Sequence, residues 1–519
     1  MYPRVLPVGD RAVTVELGSD ISEGTVARVR ALDERLTEAA IPGVLEAVPT
    51  YASLLVLFDG SAIPFRELSA RLLDLASDLT PRNDGGARIE IPVLYDGEDL
   101  DEVAARSALS RNDVIEIHSS RDYAVMMLGF SPGFAYMGFV DERLRLPRRP
   151  TPRTRVPSGS VAIAGLQTGV YPRALPGGWN LLGRTTLDFF SVDRPRPSLL
   201  MPGDRVRFFS VDALPPSPVA AETRVAGEGV TVLEAGVLTM IQDAGRFGLR
   251  RVAVPFAGYA DRRSADQANA CVGNRSGAPV VEVCGPPVRL RFDKPTFVAV
   301  CGARVDASLE RADIGGVRMP MDVAVRVRPG NVLNVERIAE GARAYVAIAG
   351  LESPTVLGSA SVDITSRFLR ALQSGDSFRV GNHDPDRARR DPLSLAPRDA
   401  IVRVILGPQH EYFDPATIEM FFANPFKVGV DSDRTGARLD GMRLKHRGAA
   451  EIVSDGMVPG CIQVPPDGRP IVMMADCPTT GGYPKIACVV TADLGILAQA
   501  RPGETEIRFR AVTVEEARL

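Results

Sequence analysis

The densest pattern in the chain reads Arg153-Thr-Arg-Val-Pro-Ser-Gly-Ser-Val-Ala-Ile-Ala-Gly-Leu-Gln-Thr-Gly-Val-Tyr-Pro172 and leads on to Pro176-Gly-Gly-Trp-Asn180. Small and β-branched residues at 160–164 predict a buried strand. Glycines and prolines then interrupt regular structure, with polar and aromatic side chains between them. Such a loop is typical of a small-molecule site, where bare backbone approaches a ligand, and equally of a barrel corner, where glycines only turn the chain.

Composition excludes several classes of protein. The chain has 519 residues, 24% charged and 45% hydrophobic, which is ordinary for a multi-domain globular protein. A formal net charge of −3 gives no attraction to nucleic acid. No apolar run reaches membrane-spanning length, and the start has no signal-peptide pattern. We therefore expect a cytoplasmic protein with neither nucleic acid nor membrane as partner.

Cysteine and histidine usage argues against a protein-built metal site. None of the six cysteines forms a Cys-x-x-Cys pair, and only four histidines exist to complete a ligand set. We predict reduced, buried thiols and no metal ligands. Cys477 in particular is expected to be an inert thiol rather than a nucleophile.

Breaks in the pattern predict five segments. Alternating strand and helix signals at 1–86 indicate a small α/β domain of ferredoxin-like type. Short strands between turns predict β-barrels, and the proline-rich residues 214–227 predict a linker that resembles a fusion joint. The fold class is thus mainly β with an α/β N-terminal domain, and the three barrel segments are 87–213, 228–399 and 400–519.

An internal repeat supports this division. The hexapeptide Val161-Ala-Ile-Ala-Gly-Leu166 recurs as Val346-Ala-Ile-Ala-Gly-Leu351, and Gln167-Thr-Gly-Val-Tyr-Pro172 is echoed by Thr479-Thr-Gly-Gly-Tyr-Pro484. A closing turn followed by a strand begins near residues 202, 374 and 502. The pattern predicts one barrel type used three times.

A second loop combines acceptors, donors and bare backbone. It reads Ser454-Asp-Gly-Met-Val-Pro-Gly-Cys-Ile-Gln-Val-Pro465, then Met474-Ala-Asp-Cys-Pro-Thr-Thr-Gly-Gly-Tyr-Pro-Lys485. Such groups suit a phosphate, carboxylate or carbonyl. The alternative is a structural turn in which Asp476 caps backbone amides. The groups that could bind are Gln463, Asp476, Thr479, Thr480, Gly481, Gly482 and Lys485.

Several other polar residues allow two interpretations. Gln242 and Asp243 stand beside a turn, and Asp261 is expected to cap the helix that follows it. Glu282 lies in an apolar run, either facing solvent or buried with a raised pKa. For His118, near a predicted helix end, we expect a capping or surface role rather than general-base chemistry.

Familiar nucleotide and metal motifs are missing from the sequence. There is no Gly-x-x-x-x-Gly-Lys-Ser/Thr loop, no Gly-x-Gly-x-x-Gly after a strand, no His-Glu-x-x-His and no biotin-attachment sequence. If the protein uses ATP, it does so at an unfamiliar site or shares the site with a partner.

The longest motifs resemble two known families. Gly129-Phe-Ser-Pro-Gly-Phe-Ala-Tyr-Met-Gly138 and the segments 153–172 and 176–184 resemble the B subunit of 5-oxoprolinase, which is also known as allophanate hydrolase subunit 1 and is related to KipI. Residues 238–274 and 451–503 resemble the C subunit of the same enzyme, the KipA-like protein. The joint near Pro215 falls where the two subunits would be fused. The resemblance implies cyclophilin-like barrels, one in the N-terminal half and two in the C-terminal half.

The resemblance also implies a reaction, the ATP-dependent opening of 5-oxoproline (pyroglutamate) to glutamate with a separate A subunit. A lactam carbonyl is a poor electrophile, and phosphorylation of its oxygen prepares it for attack by water. The site needs acceptors for the ring N–H and cations for the carboxylate and phosphates, with Mg²⁺ as an optional companion of ATP.

On this basis the candidate residues fall into two groups, whose individual roles stay open. The expected catalytic residues are Gln167, Asp476, Thr480 and Lys485. The expected substrate-binding residues are Tyr136, Arg153, Thr168, Tyr171, Trp179, Asn180, Arg184, Gln242, Asp243, Gln463, Thr479, Gly481, Gly482 and Tyr483.

Two other functions compete with this one. The same halves resemble the carboxyltransferase part of urea carboxylase, which would need biotin on a partner protein. A KipI/KipA-like regulator would bind a sensor histidine kinase, but fusing an inhibitor to its antagonist keeps the two permanently together. A catalytic pair gains from fusion, so we favour the enzyme. Association of the chain with itself is left open.

Overall fold

The computed structural model describes residues 2–80, 86–216, 226–389, 391–393 and 401–518. These residues form several barrel or half-barrel sheets, and the mainly β class is confirmed. Most of the predicted linker, at 217–225, lies outside the described residues, and the domain boundaries remain our working division. Within the described residues no helix is long and apolar enough to cross a membrane.

The N-terminal domain is a four-stranded antiparallel sheet in the order β1-β2-β4-β3, with two helices on one face. Strand β4 is buried along its whole length, because its alternate side chains pack on different neighbours. Leu54 and Val56 face the helices, whereas Leu55 and Leu57 pack on the last barrel. The elements are β1 (Arg4–Pro7), β2 (Ala12–Glu16), α1 (Glu23–Ala39), β3 (Val44–Pro49), β4 (Ser53–Phe58) and α2 (Phe65–Leu75).

The first barrel is a seven-stranded sheet in the order β12-β9-β10-β7-β6-β13-β5. A bridge between Leu94 and Arg184 joins its two edges. Strands β8 and β11 pair separately. The elements are β5 (Arg88–Val93), α3 (Leu100–Arg106), α4 (Arg111–Ser119), β6 (Asp122–Leu128), β7 (Ala135–Gly138), β8 (Arg153–Val156), β9 (Ser160–Ala164), β10 (Gln167–Val170), β11 (Leu175–Gly177), β12 (Asn180–Arg184) and β13 (Arg205–Ser210).

The middle unit is a ten-stranded sheet dominated by two long paired strands, β18 and β21. Helix α5 packs on both, and Asp261 caps it as predicted by accepting a hydrogen bond from the Ser264 amide at 3.2 Å. The elements are β14 (Gly229–Glu234), β15 (Leu238–Gln242), α5 (Arg262–Val272), β16 (Val280–Gly285), β17 (Val288–Phe292), β18 (Thr296–Arg311), β19 (Gly315–Arg318), β20 (Val325–Val327), β21 (Val332–Ile348), β22 (Leu351–Glu352) and β23 (Ser377–Val380).

The last barrel is closed, in the order β24-β31-β28-β29-β26-β25-β32. A short separate pair, β27 with β30, lies in the second predicted loop. The elements are β24 (Ile401–Leu406), α6 (Pro415–Ala423), β25 (Phe426–Val428), β26 (Gly436–Asp440), β27 (Asp455–Gly456), β28 (Cys461–Gln463), β29 (Ile471–Met473), β30 (Thr480–Gly481), β31 (Lys485–Val489), α7 (Leu494–Ala498) and β32 (Glu506–Ala511).

The closing turn predicted three times occurs in all three units. Gly203, Gly375 and Gly503 each have a positive φ, of 97°, 90° and 79°, which suits glycine. The strand that follows pairs in parallel with the opening strand in the first and last barrels. In the middle unit the corresponding strands β23 and β14 are antiparallel. The middle unit therefore uses the same turn to close a differently ordered sheet.

Candidate functional site

The second predicted loop meets the motif at 129–138 where the N-terminal domain, the first barrel and the last barrel come together, which we call the junction. The Phe130 amide of the first barrel lies 3.4 Å from the Thr480 hydroxyl of the last barrel. Gly129 is so close that an added methyl group would clash with the same hydroxyl. Gln167, at the start of β10, contacts Tyr51 of the N-terminal domain.

A buried ion pair forms the polar centre of the junction. Lys485 Nζ lies 2.8 Å from Asp455 Oδ2, and the lysine side chain has no exposed surface. Asp455 also accepts hydrogen bonds from the Ser53 hydroxyl and, at 3.2 Å, from Gln409 Nε2. Burial alone would raise the pKa of Asp455, but the Lys485 ammonium, the Ser53 hydroxyl and the Gly456 amide outweigh it and hold the pKa below its ordinary value.

The loop around this pair presents polar atoms that lack partners. Strand β27 pairs with β30, and the Ile452 amide donates to the Gly482 carbonyl at 2.9 Å, so the two loop segments lie side by side. An added Cβ on Gly481 would lie 3.1 Å from Gln463 Oε1. That oxygen and Thr479 Oγ1 are buried and have no hydrogen-bond partner among the described residues. Buried polar atoms are normally hydrogen-bonded, and a bound ligand would supply the missing partners of these two.

An aromatic group lines the side of the junction formed by the first barrel. Tyr51 and Tyr136 have ring centroids 5.9 Å apart, and Tyr136 and Trp179 are also 5.9 Å apart. Val453 of the last barrel packs on the same group. Burial raises the pKa of Tyr136 and of Tyr171 to about 12, so both hydroxyls stay protonated at neutral pH.

Asp476 lies in a different network, at the boundary between the middle unit and the last barrel. Arg434 donates to both of its oxygens at 2.9 Å and also pairs with Glu282 at 2.5 Å. The choice between a solvent-facing and a buried Glu282 is thereby decided, because its side chain is fully buried. Burial outweighs the Arg434 charge and raises the pKa of Asp476 to about 6. Asp476 begins the loop that carries Thr480, so this network anchors the loop.

Several predicted binding residues have internal partners away from the junction. Thr168 donates to the Ala162 carbonyl, and Asn180 to the Pro147 carbonyl, both at 3.1 Å. The remaining four are paired as follows: Arg153 with Asp99 at 2.7 Å, Arg184 with Asp96 at 2.9 Å, Gln242 with the Val362 carbonyl at 3.0 Å, and Asp243 with Ser359 and Ser361 at 2.6 Å.

The other predicted residues lie beside the junction groups. Tyr171 packs on Phe134 with ring centroids 5.4 Å apart, at the back of the aromatic group. Gly482 and Tyr483 continue the half-buried backbone after Gly481. Of the four expected catalytic residues, Lys485 and Thr480 lie around Asp455, and Gln167 contacts Tyr51, two residues before Ser53. Asp476 lies in the separate network with Arg434.

The prediction for His118 was wrong. Its ring is fully buried, with Nδ1 2.7 Å from the Tyr95 hydroxyl and Nε2 2.9 Å from the Thr168 hydroxyl. Burial lowers its pKa to about 3, so the ring stays neutral. The side of α4 that carries it faces inward, and His118 belongs to the core of the first barrel.

Residues of the N-terminal domain were missed entirely. Ser53 and Tyr51 stand at the start of an apolar strand, where polar residues are common and carry no signal of a site. Asp455 lies within the quoted loop but was not chosen as a candidate. Its position beside Gly456 was the one sequence feature that could have marked it as a site residue. In the described part of the chain no group of three His, Cys, Asp or Glu side chains could hold a metal ion.

Two open cavities are lined by none of the predicted site residues. One, of about 480 Å³, lies between β1 and residues 405–408 and 511–514, and its walls are mainly apolar. The other, of about 490 Å³, lies at residues 234–237 and 372–374. Neither includes a predicted site residue or a cluster of converging polar groups, so we place the candidate site at the junction.

This arrangement joins polar groups from both halves of the chain at one junction. Residues 3–200 match the family description "Carboxyltransferase domain, subdomain C and D", and residues 252–511 match "Carboxyltransferase domain, subdomain A and B". The chain belongs to this carboxyltransferase-domain family and holds both of its parts in one polypeptide.

Similar proteins include both predicted kinds of subunit. The chain is 35% identical to the C subunit of 5-oxoprolinase from Escherichia coli (strain K12) over 292 residues, 55% of this chain and 92% of that protein. It is 40% identical to the B subunit of 5-oxoprolinase from Bacillus subtilis (strain 168) over 221 residues, 39% of this chain and 91% of that protein. The predicted resemblance to a fusion of the two subunits is confirmed.

Solved and more distant relatives agree with this assignment. The crystal structure of TTHA0988 has a TM-score of 0.86 and 37% identity, and the match covers 96% of this chain and 99% of that one. The urea amidolyase of Saccharomyces cerevisiae is 30% identical over 311 residues, which are 54% of this chain but only 16% of that protein.

Proposed function

We propose that this chain supplies the B and C subunits of an ATP-dependent 5-oxoprolinase. With a separate protein of the A-subunit type it would open 5-oxoproline to glutamate. One observation carries the proposal: the junction takes Ser53 and Gln167 from the half similar to the B subunit, and Asp455, Thr480 and Lys485 from the half similar to the C subunit. Neither half has the complete site, which gives a physical reason for joining them.

The chemistry needs polar groups held rigidly in a dry site. ATP would phosphorylate the lactam oxygen with release of ADP. One water would attack the activated carbon, and the ring C–N bond would break to leave an acyl phosphate. A second water would hydrolyse the acyl phosphate to glutamate and phosphate. Lys485 donates to Asp455 through one N–H and keeps others for a carbonyl or phosphoryl oxygen. Gly481 and Gly482 leave the backbone accessible to the same group.

ATP and any accompanying Mg²⁺ are part of the proposal. The junction has one buried ammonium and, among the described residues, no cluster of carboxylates for a metal ion. These groups fit the transferred phosphoryl group better than a whole nucleotide. We propose that the A-type partner protein contributes the remaining contacts to ATP, and that the assembly is cytoplasmic.

The test uses the purified full chain with 5-oxoproline and ATP. We expect ADP and glutamate to be released in equal amounts, and only when the A-type partner protein is added. Thr480→Val should abolish both, whereas the exposed control Thr154→Val should not. Release of neither product with the partner present would contradict the proposal.

A second candidate function is carboxyl transfer from biotin on a partner protein to a urea-like acceptor. It is favoured by the family description and by the similarity to a urea amidolyase. A labelled carboxybiotin carrier that loses its label to urea in the presence of this chain would support it. If neither assay gives a product and the chain binds a sensor histidine kinase, the KipI/KipA-like regulator is supported instead.

A further inference from the structure

Arg148 is an exposed arginine beside two arginines that are paired. Arg149 and Arg153 both donate to Asp99, at 2.8 and 2.7 Å. Among the described residues Arg148 has no carboxylate within ion-pair distance. Its charge is therefore available to an anionic ligand, whereas Arg153 and Arg184, two of the predicted binding residues, are paired with Asp99 and Asp96.

The backbone holds Arg148 beside the aromatic side of the junction. The Pro147 carbonyl accepts from Asn180 at 3.1 Å, and the Arg149 amide donates to the Gly178 carbonyl at 2.7 Å. These bonds fix residue 148 next to the Gly178–Trp179 turn. Neighbouring Leu146 is bridged to Gly165, just before Gln167.

The charge of Arg148 acts on three tyrosine hydroxyls. Burial raises the pKa of Tyr51, Tyr136 and Tyr171, and the Arg148 guanidinium opposes the rise at each of them. These tyrosines belong to or pack behind the aromatic group beside the Gly178–Trp179 turn, where the backbone bonds place residue 148.

The neighbouring groups suit a small, flat ring that carries an amide. Tyr136 is half-buried against Trp179 and offers an aromatic face. Gln167 donates through Nε2 to the Tyr51 hydroxyl. Its Oε1 has no donor among the described residues and can accept a ring N–H.

From this arrangement we infer that Arg148 binds the carboxylate of the small cyclic amide substrate. The ring lies against Tyr136, and its N–H donates to Gln167. The inference rests on the proposed function and adds a specificity-determining residue to it. An arginine fork matches a carboxylate in a way that a single ammonium does not, so specificity for an acid over a neutral lactam follows.

The test compares Arg148→Gln with Arg155→Gln, an exposed arginine on nearby β8, in the complete enzyme with its A-type partner protein. For 5-oxoproline we expect Arg148→Gln to raise KM about 10- to 100-fold with kcat nearly unchanged, as expected for loss of a charge-assisted hydrogen bond. Arg155→Gln should match the parent. Arg148→Lys should recover only part of the loss.

A second substrate makes the result specific. 2-Pyrrolidinone is the same ring without the carboxylate, and its KM should be high and equal in the parent and in Arg148→Gln. If the parent turns over 5-oxoproline but Arg148→Gln behaves like Arg155→Gln, the carboxylate contact is disproved and the proposed function stands. A fall in kcat with unchanged KM would also overturn it. If the parent has no activity on 5-oxoproline, the proposed function itself fails, and this inference with it.

Discussion

Lys485 and Asp455 form an ion pair, with Nζ and Oδ2 2.8 Å apart, that is buried beneath the N-terminal domain. Asp455 accepts a hydrogen bond from Ser53, 402 positions earlier in the chain. The pair therefore links the first domain to the last barrel at the site where we expect chemistry. Its surroundings lead to four predictions.

The first concerns the energetic coupling of the pair. Lys485→Met leaves Asp455 buried without its counter-charge, and we expect the free energy of unfolding to fall by about 3–5 kcal/mol. Adding Asp455→Asn should recover most of that loss, because both charges are then gone. Urea denaturation of the two single variants and the double variant measures the coupling, and Lys427→Met, at an exposed lysine, is the control. A loss in the double variant equal to the sum of the two single losses would mean that the two residues do not interact.

The second concerns the pH dependence of stability through Asp476. Its pKa is raised to about 6 in the folded protein, so the folded state binds a proton more tightly than the unfolded state does. The stability from this group is fully present below its unfolded pKa, near 4, and is lost as pH rises through 6. Relative to the parent, the free energy of unfolding of Asp476→Asn should rise by up to about 3 kcal/mol between pH 4 and pH 7. Unfolding free energies at pH 4, 5, 6 and 7 give the difference, and a constant difference would refute the assignment.

The third concerns Thr480. Its hydroxyl is 3.4 Å from the Phe130 amide, a weak contact whose loss costs below about 1 kcal/mol of stability. We expect Thr480→Val to abolish turnover while the melting temperature changes little. The control is Thr154→Val, on an exposed strand. A large drop in melting temperature would show that the loop is structural and that Thr480 is not part of a working site.

The fourth concerns the close approach of the two halves. A methyl group added at Gly129 would meet the Thr480 hydroxyl and the end of Met127. We expect Gly129→Ala to push the loops apart and to lower kcat/KM by at least 10-fold. Gly316→Ala is the matched control, because nothing lies within 4 Å of an added Cβ there. Full activity of Gly129→Ala would mean that the first barrel does not need to touch the last one.

Local pattern predicted the strands and caps well, because each depends on a few neighbouring residues. The small and β-branched residues at 160–164 indicated a strand, which is β9, and Asp261 was identified as a helix cap. What covers the second face of β4 could not be predicted, since the partner is distant in sequence. Repeated motifs did indicate that Gln167 and Thr480 belong to equivalent loops, although not which residues each would contact.

The misplaced site residues share one cause. Asp243 stands two residues before Gly245, whose amide donates to it at 2.9 Å. A polar residue beside glycine has this appearance in a turn as much as in a binding loop. His118 misled for a related reason, because periodicity places a residue on a helix face without saying whether that face is buried. Ser53 gave no signal, since its importance comes wholly from Asp455.

The second face of the N-terminal sheet is covered by the last barrel, with Leu55 and Leu57 against Met457 and Met473. The part of the protein that the ribosome makes first is thus the part whose burial is completed last. Until strands β28 to β31 have been synthesised, this apolar face of the N-terminal sheet stays uncovered, because the residues that pack on it belong to the last barrel. Because the two halves are one polypeptide, each N-terminal sheet is made together with one last barrel that can cover it.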